Sequence, residues 1–487
     1  MTLKGKGFPT DSGVGRIGLA TFNDDVVYAF LDNQNRRKAE KKKKDDGLKK
    51  DDFKSMTNEY FFKLSEEKLN KYLKENNFDK KYTAKSIKKS VTKGSVKVSD
   101  LATYLEDANS LLFSSPVIGA EVYKTTDGGK TWNKTHDDYL DGVYSSYGYY
   151  FGIIGVNTSN ENKIYIGGVP LLKSDDGGKT FSSIGKENVH SDHQVIWVNP
   201  KLEGHIINGN DGGINITYDD GENWTKNNAQ SVGQFYAINV DNQKPYNVYG
   251  GLQDNGVWYG PSNYVPSKRW NSSGQYPYKS IGGGDGMQVQ IDSRDNNVVY
   301  SGSQFGYYYQ VNLKTKKRYS IHPKHELGDA PYRYNWQAPI LLSSHNQDIL
   351  YMGANKLLRS MDQGKTFDVI SEDLTTGGKK GNVPYGTLAT ISESPFQFGF
   401  IYTGSDDGYV YLTENSGSSW TKISDNLPQN LWVSRVIASQ HEKNRVYVTL
   451  NGYRSDDFNP YVYVSEDKGA TWKTINGNLP NSPVNVI

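Results

Sequence analysis

Six segments of this chain fit one pattern, Ser/Thr-x-Asp/Asn-x-Gly-x-x-Trp/Phe: TTDGGKTW from Thr125, SDDGGKTF from Ser174, TYDDGENW from Thr217, SMDQGKTF from Ser360, TENSGSSW from Thr413 and SEDKGATW from Ser465. A fixed period constrains a fold more than composition does, because each repeat is one supersecondary unit that must bury its apolar face against its neighbours. Successive motifs stand roughly 50 residues apart, except that Thr217 to Ser360 is about three such steps. Two repeats without the motif fill that gap, FYAINVDNQKPYNVYGGLQDNGVWYG and MQVQIDSRDNNVVYSGSQFGYYYQVNL. Eight units result, beginning near residues 13, 149, 193, 234, 285, 337, 386 and 434.

Within a unit, as in HQVIWVNPKLEGHIINGNDGGINITYDDGENWTKN, an apolar strand A meets an Asn/Pro/Asp turn and strand B ends in a Gly-rich loop. A short strand C then leads through the motif to strand D. Four short strands per unit at this period predict an all-β fold, a β-propeller of four-stranded blades. The eight repeats suit parts of two propellers as well as one. Helical solenoids of similar period need an apolar spacing of about 3.6 residues, which the units lack. The 50 glycines, 36 tyrosines and nine tryptophans agree with many tight turns and half-buried aromatic strand positions. A net charge of +2 gives no global pull towards nucleic acid or membrane. The absence of cysteine removes disulfides and thiolate chemistry together. The first residues carry no apolar leader, and no apolar run reaches the roughly 18 residues of a membrane span.

Residues 1–35 are expected to supply strands A and B of the first blade, and 36–118 a charged linker with a helical insert in that blade's B to C loop. The linker, RRKAEKKKKDDGLKKDDFK, is too polar to pack. Helical patterns follow: SEEKLNKYL with Ser65 as N-cap and Leu69 and Leu73 on one face, TAKSIKKSVTKG from Thr83 to Gly94, and SDLATYLEDANSLLF from Ser99. Motif-bearing blades should occupy 119–230 and 326–487, with two blades lacking the motif at 231–325. The final NSPVNVI reads as the first strand of an incomplete blade, and the chain as a piece of a longer protein.

The motif falls at the C to D turn. Asp127, Asp176, Asp219, Asp362, Asn415 and Asp467 can accept hydrogen bonds from nearby backbone N–H groups, the following Gly supplies positive φ, and the aromatic covers the turn. These six residues are therefore expected to be structural. A phosphate loop would need the longer G-x-x-x-x-G-K-[ST] pattern ahead of a helix. Six similar sites spread round one side do not converge on one substrate.

Function is then expected on the opposite side, where strand B ends and strand A begins. Asp192, Asp211, Asp254 and Asp285 are candidate catalytic carboxylates for glycoside hydrolysis, which needs two such groups roughly 5–10 Å apart. His190, His193, Trp258, Arg333, Trp336, Asp406, Trp432 and Arg435 are candidate ligand-binding residues. HSDH invites a metal reading, but on a strand His190 and Asp192 share a face that His193 does not. No metal site and no cofactor is expected. The insert lies on the same side, as a solvated excursion, a lid or a docking module. Nucleic-acid binding by the basic run is disfavoured, because its lysines alternate with acidic pairs and lack interleaved aromatics.

The six motifs resemble the Asp boxes, or BNR repeats, of sialidases, sortilin-type domains and two-propeller xyloglucanases. HSDHQVIWVNPKLEGHIINGNDGGINITYDDGENW, GGLQDNGVWYGP, YRYNWQAPILLS and WVSRVIASQHEKNRVYVTLNGYRSDDFNPYVYVSEDKGATW resemble an exported bacterial family with BNR/YVTN/sortilin-like repeats, often labelled glycosyl hydrolase, in the form found in Bacteroidetes. That resemblance implies an exported protein, periplasmic, cell-surface or extracellular. It further implies a propeller binding a polymeric ligand, glycan or peptide, with a xyloglucanase-like hydrolase or a protein-interaction scaffold as alternatives. Sialidases need an arginine triad; GRIG at Arg16 is only superficially similar to their entry motif, and the eleven arginines form no such set.

Overall fold

The computed structural model describes residues 6–37, 47–106, 117–144, 147–227, 232–265, 277–378 and 385–487. Among these the strands form eight four-stranded antiparallel sheets, each in chain order A-B-C-D. These are propeller blades, as the repeat period predicts. Strands A begin at Val14, Ile153, His193, Phe235, Val289, Ile340, Leu388 and Trp432. No described helix is long and apolar enough to cross a membrane. The chain divides into two compact units: Met1–Lys43 with Leu111–Gly233 carries blades one to three, and Lys44–Ser110 with Gln234–Ile487 carries blades four to eight and the insert.

Apolar cores lie between successive sheets. One joins Tyr28, Phe30 and Val122 of blade one to Ile164 and Ile166 of blade two; another joins Tyr402 and Val410 of blade seven to Val436 and Val448 of blade eight. A tyrosine recurs as the second core residue of strand B, and Tyr28, Tyr165, Tyr249, Tyr300, Tyr351 and Tyr402 are all fully buried. Three of these hydroxyls tie a blade to the next: Tyr28 donates to Glu161 O (2.8 Å), Tyr165 to Asp220, and Tyr351 to Glu393 Oε1 (2.9 Å). Buried phenols need such partners, and linking sheets satisfies that need while fixing their spacing.

The Asp box is structural, with a longer reach than the sequence suggests. Its carboxylate accepts from a residue four positions on: Asp127 takes the Thr131 N–H (2.9 Å) and hydroxyl (2.6 Å), and the leading Thr125 hydroxyl accepts from Gly129 N–H (3.0 Å). Thr180, Asn223, Thr366, Ser419 and Thr471 fill the same role in the other boxes. The Thr131, Thr180 and Asn223 side chains foremost hold Asp127, Asp176 and Asp219 down at about 2. The box glycines sit at φ between +87° and +93°, where only Gly is unstrained.

The box also joins blades. Trp224, Trp420 and Trp472 donate their indole N–H to the carbonyls of Ile184, Ile370 and Ile423, each just past strand D of the preceding blade (2.8, 2.9 and 2.8 Å). The box glycine rests on that same isoleucine: a Cβ at Gly221 would stand 2.8 Å from Ile184 Cβ, and one at Gly469 2.5 Å from Ile423 Cδ1. Trp132, in the first blade, is only 4% exposed, and its indole N–H has no hydrogen-bond partner among the described residues. It packs instead edge-on to Phe8.

Between strands B and C of blade one the chain forms α1 (Asp52–Ser55), α2 (Asn58–Lys63), α3 (Glu66–Glu75), α4 (Ala84–Thr92) and α5 (Asp100–Thr103). Ser65 caps α3, and Thr83 caps α4 in a reciprocal capping box with Ser86. The pattern from Ser99 yields only the short α5, and its residues 107–113, like 38–46 of the charged run, lie outside the described residues. The insert has its own core, including Phe53, Phe61, Leu69, Leu73 and Leu101, and Leu327 from the loop after blade five completes it. Tyr82 clamps that loop, donating to Glu326 Oε2 (2.6 Å) and accepting from Leu327 N–H (2.9 Å). Tyr82→Phe is expected to weaken insert docking by about 1–2 kcal/mol, read as faster hydrogen exchange in α4 with blade amides unchanged.

Candidate functional site

Strand register identifies one position shared by all blades. Val27, Ile164, Ile206, Leu350, Ile401 and Val446 each lie opposite the first residue of an Asp box. Five residues on, at the end of strand B remote from the box, stand Asp32, Val169, Asp211, Asn355, Asp406 and Asn451; pairing with strand A places Gln253 and Gln304 there in the two blades without boxes. Seven of the eight are therefore amides or carboxylates, recurring where loops B to C and D to A meet. Asp254 stands one residue past this position, and Asp32, inside a long strand rather than a Gly-rich loop, escapes a search by loop motif.

In two blades this side chain latches the incoming chain. Asp406 is 2% exposed and accepts from Gly386 N–H (2.9 Å), Thr387 N–H (2.9 Å) and the Thr387 hydroxyl (2.6 Å). Burial foremost pushes its carboxyl up to about 6. Asn355 accepts from Arg333 N–H (3.1 Å) and donates to Asp373 (2.9 Å). The Arg333 guanidinium spans Asp373, Thr375 and the Gly386 carbonyl (2.7, 3.1 and 3.1 Å). Asp407 closes the network on Thr376. Arg333 and Asp406 thus share a satisfied hydrogen-bond system that holds Asp373, Thr375, Gly386 and Thr387 together.

The other candidates form three groups. In the first unit, the Gln194 amide donates to Asp211 Oδ1 (3.3 Å) and to the Asp192 carbonyl (3.4 Å), and Asp192 takes the Ser191 hydroxyl (2.7 Å). His193 is buried against Asn208 (2.8 Å) and pushed down by burial, hence neutral, while His190 lies against the Ser191 carbonyl (3.0 Å). Among the described residues no three His, Cys, Asp or Glu side chains are placed to hold a metal.

In the second unit Asp254 N–H donates to Asp285 Oδ1 (3.0 Å), which joins the loops of blades four and five. Burial first, countered by its bond from Trp336 and reinforced by the charges of Asp285 and Asp254, pushes the Tyr236 phenol up. Trp336 Nε1 donates to Tyr236 OH (3.2 Å) and its ring meets Phe305 edge-on at 5.1 Å. Trp258 Nε1 donates to the Asn255 carbonyl (2.7 Å). Tyr236 thus bonds one candidate tryptophan and feels the charges of two candidate aspartates. Gln194 and Tyr236 went unrecognised in the sequence because each is the extra residue of a β-bulge at the start of strand A, and a bulge has no sequence signature of its own.

The third group is on blade eight. Trp432 and Arg435 flank the same kind of bulge at Ser434, and the Arg454 guanidinium lies 4.1 Å from the Trp432 ring centroid.

A Sortilin-Vps10 family model (Sortilin, neurotensin receptor 3) matches residues 355–482, so an Asp-box propeller-associated domain occupies that part of the chain. No curated protein matches it in sequence. Among solved structures, the GH74 enzyme of Niastella koreensis is 14% identical with a TM-score of 0.22, over 73% of this chain and 61% of that one. The GH74 xyloglucanase of Xanthomonas campestris is 10% identical with a TM-score of 0.21, over 76% and 64%. Sqt1 of Saccharomyces cerevisiae is 14% identical with a TM-score of 0.36, over 69% and 86%. The chain thus spans less than two thirds of either GH74 protein. The propeller assignment rests on strand order and box geometry.

Proposed function

We propose that this protein binds an extended polymeric ligand, a glycan in preference to a peptide, along the blade ends opposite the Asp boxes. The supporting observation is the group around Tyr236, where Asp254, Asp285 and Trp336 come from different blades of one unit. Carboxylates and amides orient sugar hydroxyls, and indole or phenyl faces stack on pyranose rings. The Asp-box carboxylates at the other end are already engaged by their own turns. An exported setting accords with this reading, since polymers of this kind lie outside the cell.

A second reading, a glycoside hydrolase, draws support from the hydrogen bond of the Asp254 backbone N–H to the Asp285 carboxylate, a contact between two candidate acidic residues. Affinity electrophoresis against neutral and acidic polysaccharides tests both. Retardation by at least one polymer, weakened about tenfold or more by Trp336→Ala, is expected; no retardation by any would sink the binding reading. Release of reducing ends that vanishes in both Asp254→Asn and Asp285→Asn is required for hydrolysis, and an inert parent chain would eliminate it.

A further inference from the structure

Blade eight carries a feature that neither the Asp boxes nor the Tyr236 group explains. The turn between strand B (Val446–Gly452) and strand C (Asp457–Ser465) presents Arg454 at the end remote from the box. Its guanidinium carbon lies 4.1 Å from the Trp432 ring centroid and 4.5 Å from that of Tyr453, so two aromatic faces hold it in place. It makes no hydrogen bond or ion pair with any described residue. Of the two aspartates in the same turn, Asp457 is engaged by the Tyr461 hydroxyl (2.7 Å) and the Asn459 amide (2.8 Å).

The second observation is independent. Arg435, on strand A of the same blade, is half-buried, yet its guanidinium donates only to the neighbouring Ser434 carbonyl (2.7 Å). No described carboxylate stands within ion-pair distance, and burial alone pushes the group down from its usual range. A partly buried arginine normally has a counter-charge, because removing it from water costs free energy that only pairing recovers. Blade eight thus carries two cations without an acidic partner among the described residues. In and next to the Arg454 turn, Tyr453 and Phe458 are 39% and 50% exposed.

We infer that blade eight recognises the carboxylate of an acidic polysaccharide, a uronate polymer, with Arg454 taking the carboxylate, Arg435 supplying a second positive charge, and Tyr453 and Phe458 stacking on the sugar rings. A guanidinium already held by rings loses little freedom on binding and offers paired N–H donors matched to a carboxylate. A flat apolar ring beside a cation suits a pyranose bearing a carboxylate better than the short, flexible side chains of an acidic peptide. This rests on the polymer-binding reading above and narrows its ligand to one charge class.

The matched probes are polygalacturonate and its fully methyl-esterified form, which keeps the sugar chain and removes the charge, with poly-glutamate as the peptide arm. The full chain should bind polygalacturonate at least about tenfold more tightly than the ester, with a preference that shrinks as salt rises. Arg454→Gln should abolish most of that preference, and Arg454→Lys, which keeps charge without the planar fork, should lose part of it. Arg454 is exposed and makes no hydrogen bond or ion pair with a described residue, so unchanged unfolding midpoints will show that these variants fold. Equal binding of acid and ester, poly-glutamate bound as tightly as the uronate, or an unchanged preference in Arg454→Gln would overturn the inference while leaving polymer binding intact. Binding to no polysaccharide at all would overturn both.

Discussion

Trp224→Ala is expected to lower the stability of the three-blade unit by about 3–5 kcal/mol, among the largest effects of any single substitution in the chain. Trp224 is 7% exposed and packs with Ile184, Tyr165 and Ile206 between blades two and three. Its loss opens a cavity there and strips the buried Ile184 carbonyl of its donor. The two causes separate by comparison. Trp224→Phe keeps most of the ring, as Phe181 and Phe367 do in other boxes, but loses the N–H, and should cost about 1–2 kcal/mol. Trp132→Phe removes an indole N–H that has no partner among the described residues, and should cost close to nothing. Denaturant unfolding of the three variants checks this, and equal costs for the two Phe substitutions would show that the blade-to-blade bond contributes nothing.

The second large effect is a dependence on pH. With the Asp406 carboxyl pushed up to about 6, the folded chain retains a proton that the unfolded chain releases near pH 4. In the window between those values the folded state binds more protons, so stability falls as pH rises through it. The loss is complete above about pH 6 and amounts to roughly 3 kcal/mol at about 1.4 kcal/mol per unit. Asp406→Asn cannot titrate, while its oxygen can still accept from Gly386 and Thr387. Wild type should therefore gain several degrees of unfolding midpoint relative to Asp406→Asn on going from pH 7 to pH 5. A constant difference between the two proteins across that range would show that Asp406 is ionised throughout.

The two cases show which parts of the molecule can be read in the sequence. Local periodicity and turn chemistry are written in neighbouring residues, so the starts of strands A, the caps Ser65 and Thr83 and the C to D position of every box could be read directly. The buried tyrosines were equally visible, as VVYAF, KIYIG, DILYMG and FIYTG, once the units are aligned on the box. What could not be read depends on pairing between segments distant in sequence. The Trp224–Ile184 bond crosses a blade boundary, and Tyr82 meets a loop more than 240 positions away. The equivalence of Asp32 with Asp211 and Asp406 exists only in strand register.

The same limit shaped the candidate site. Aspartates were picked out as loop residues, and a loop carboxylate looks alike whether it faces a ligand or latches its own chain. Asp406 belongs to the second kind in this structure, held by Gly386 and Thr387, and Arg333 is absorbed beside it. Asp254 and Asp285 meet from separate loops, and Tyr236, which feels both charges, takes the Trp336 indole N–H from another blade, a juxtaposition no linear motif encodes.

Hydrogen–deuterium exchange with and without the tightest-binding polysaccharide tests most directly whether ligand is engaged at the blade ends opposite the Asp boxes. Protection is expected in peptides covering 253–258, 283–288, 333–338 and 452–458, with the box turns 413–420 and 465–472 unchanged. Protection confined to the box turns would contradict the account.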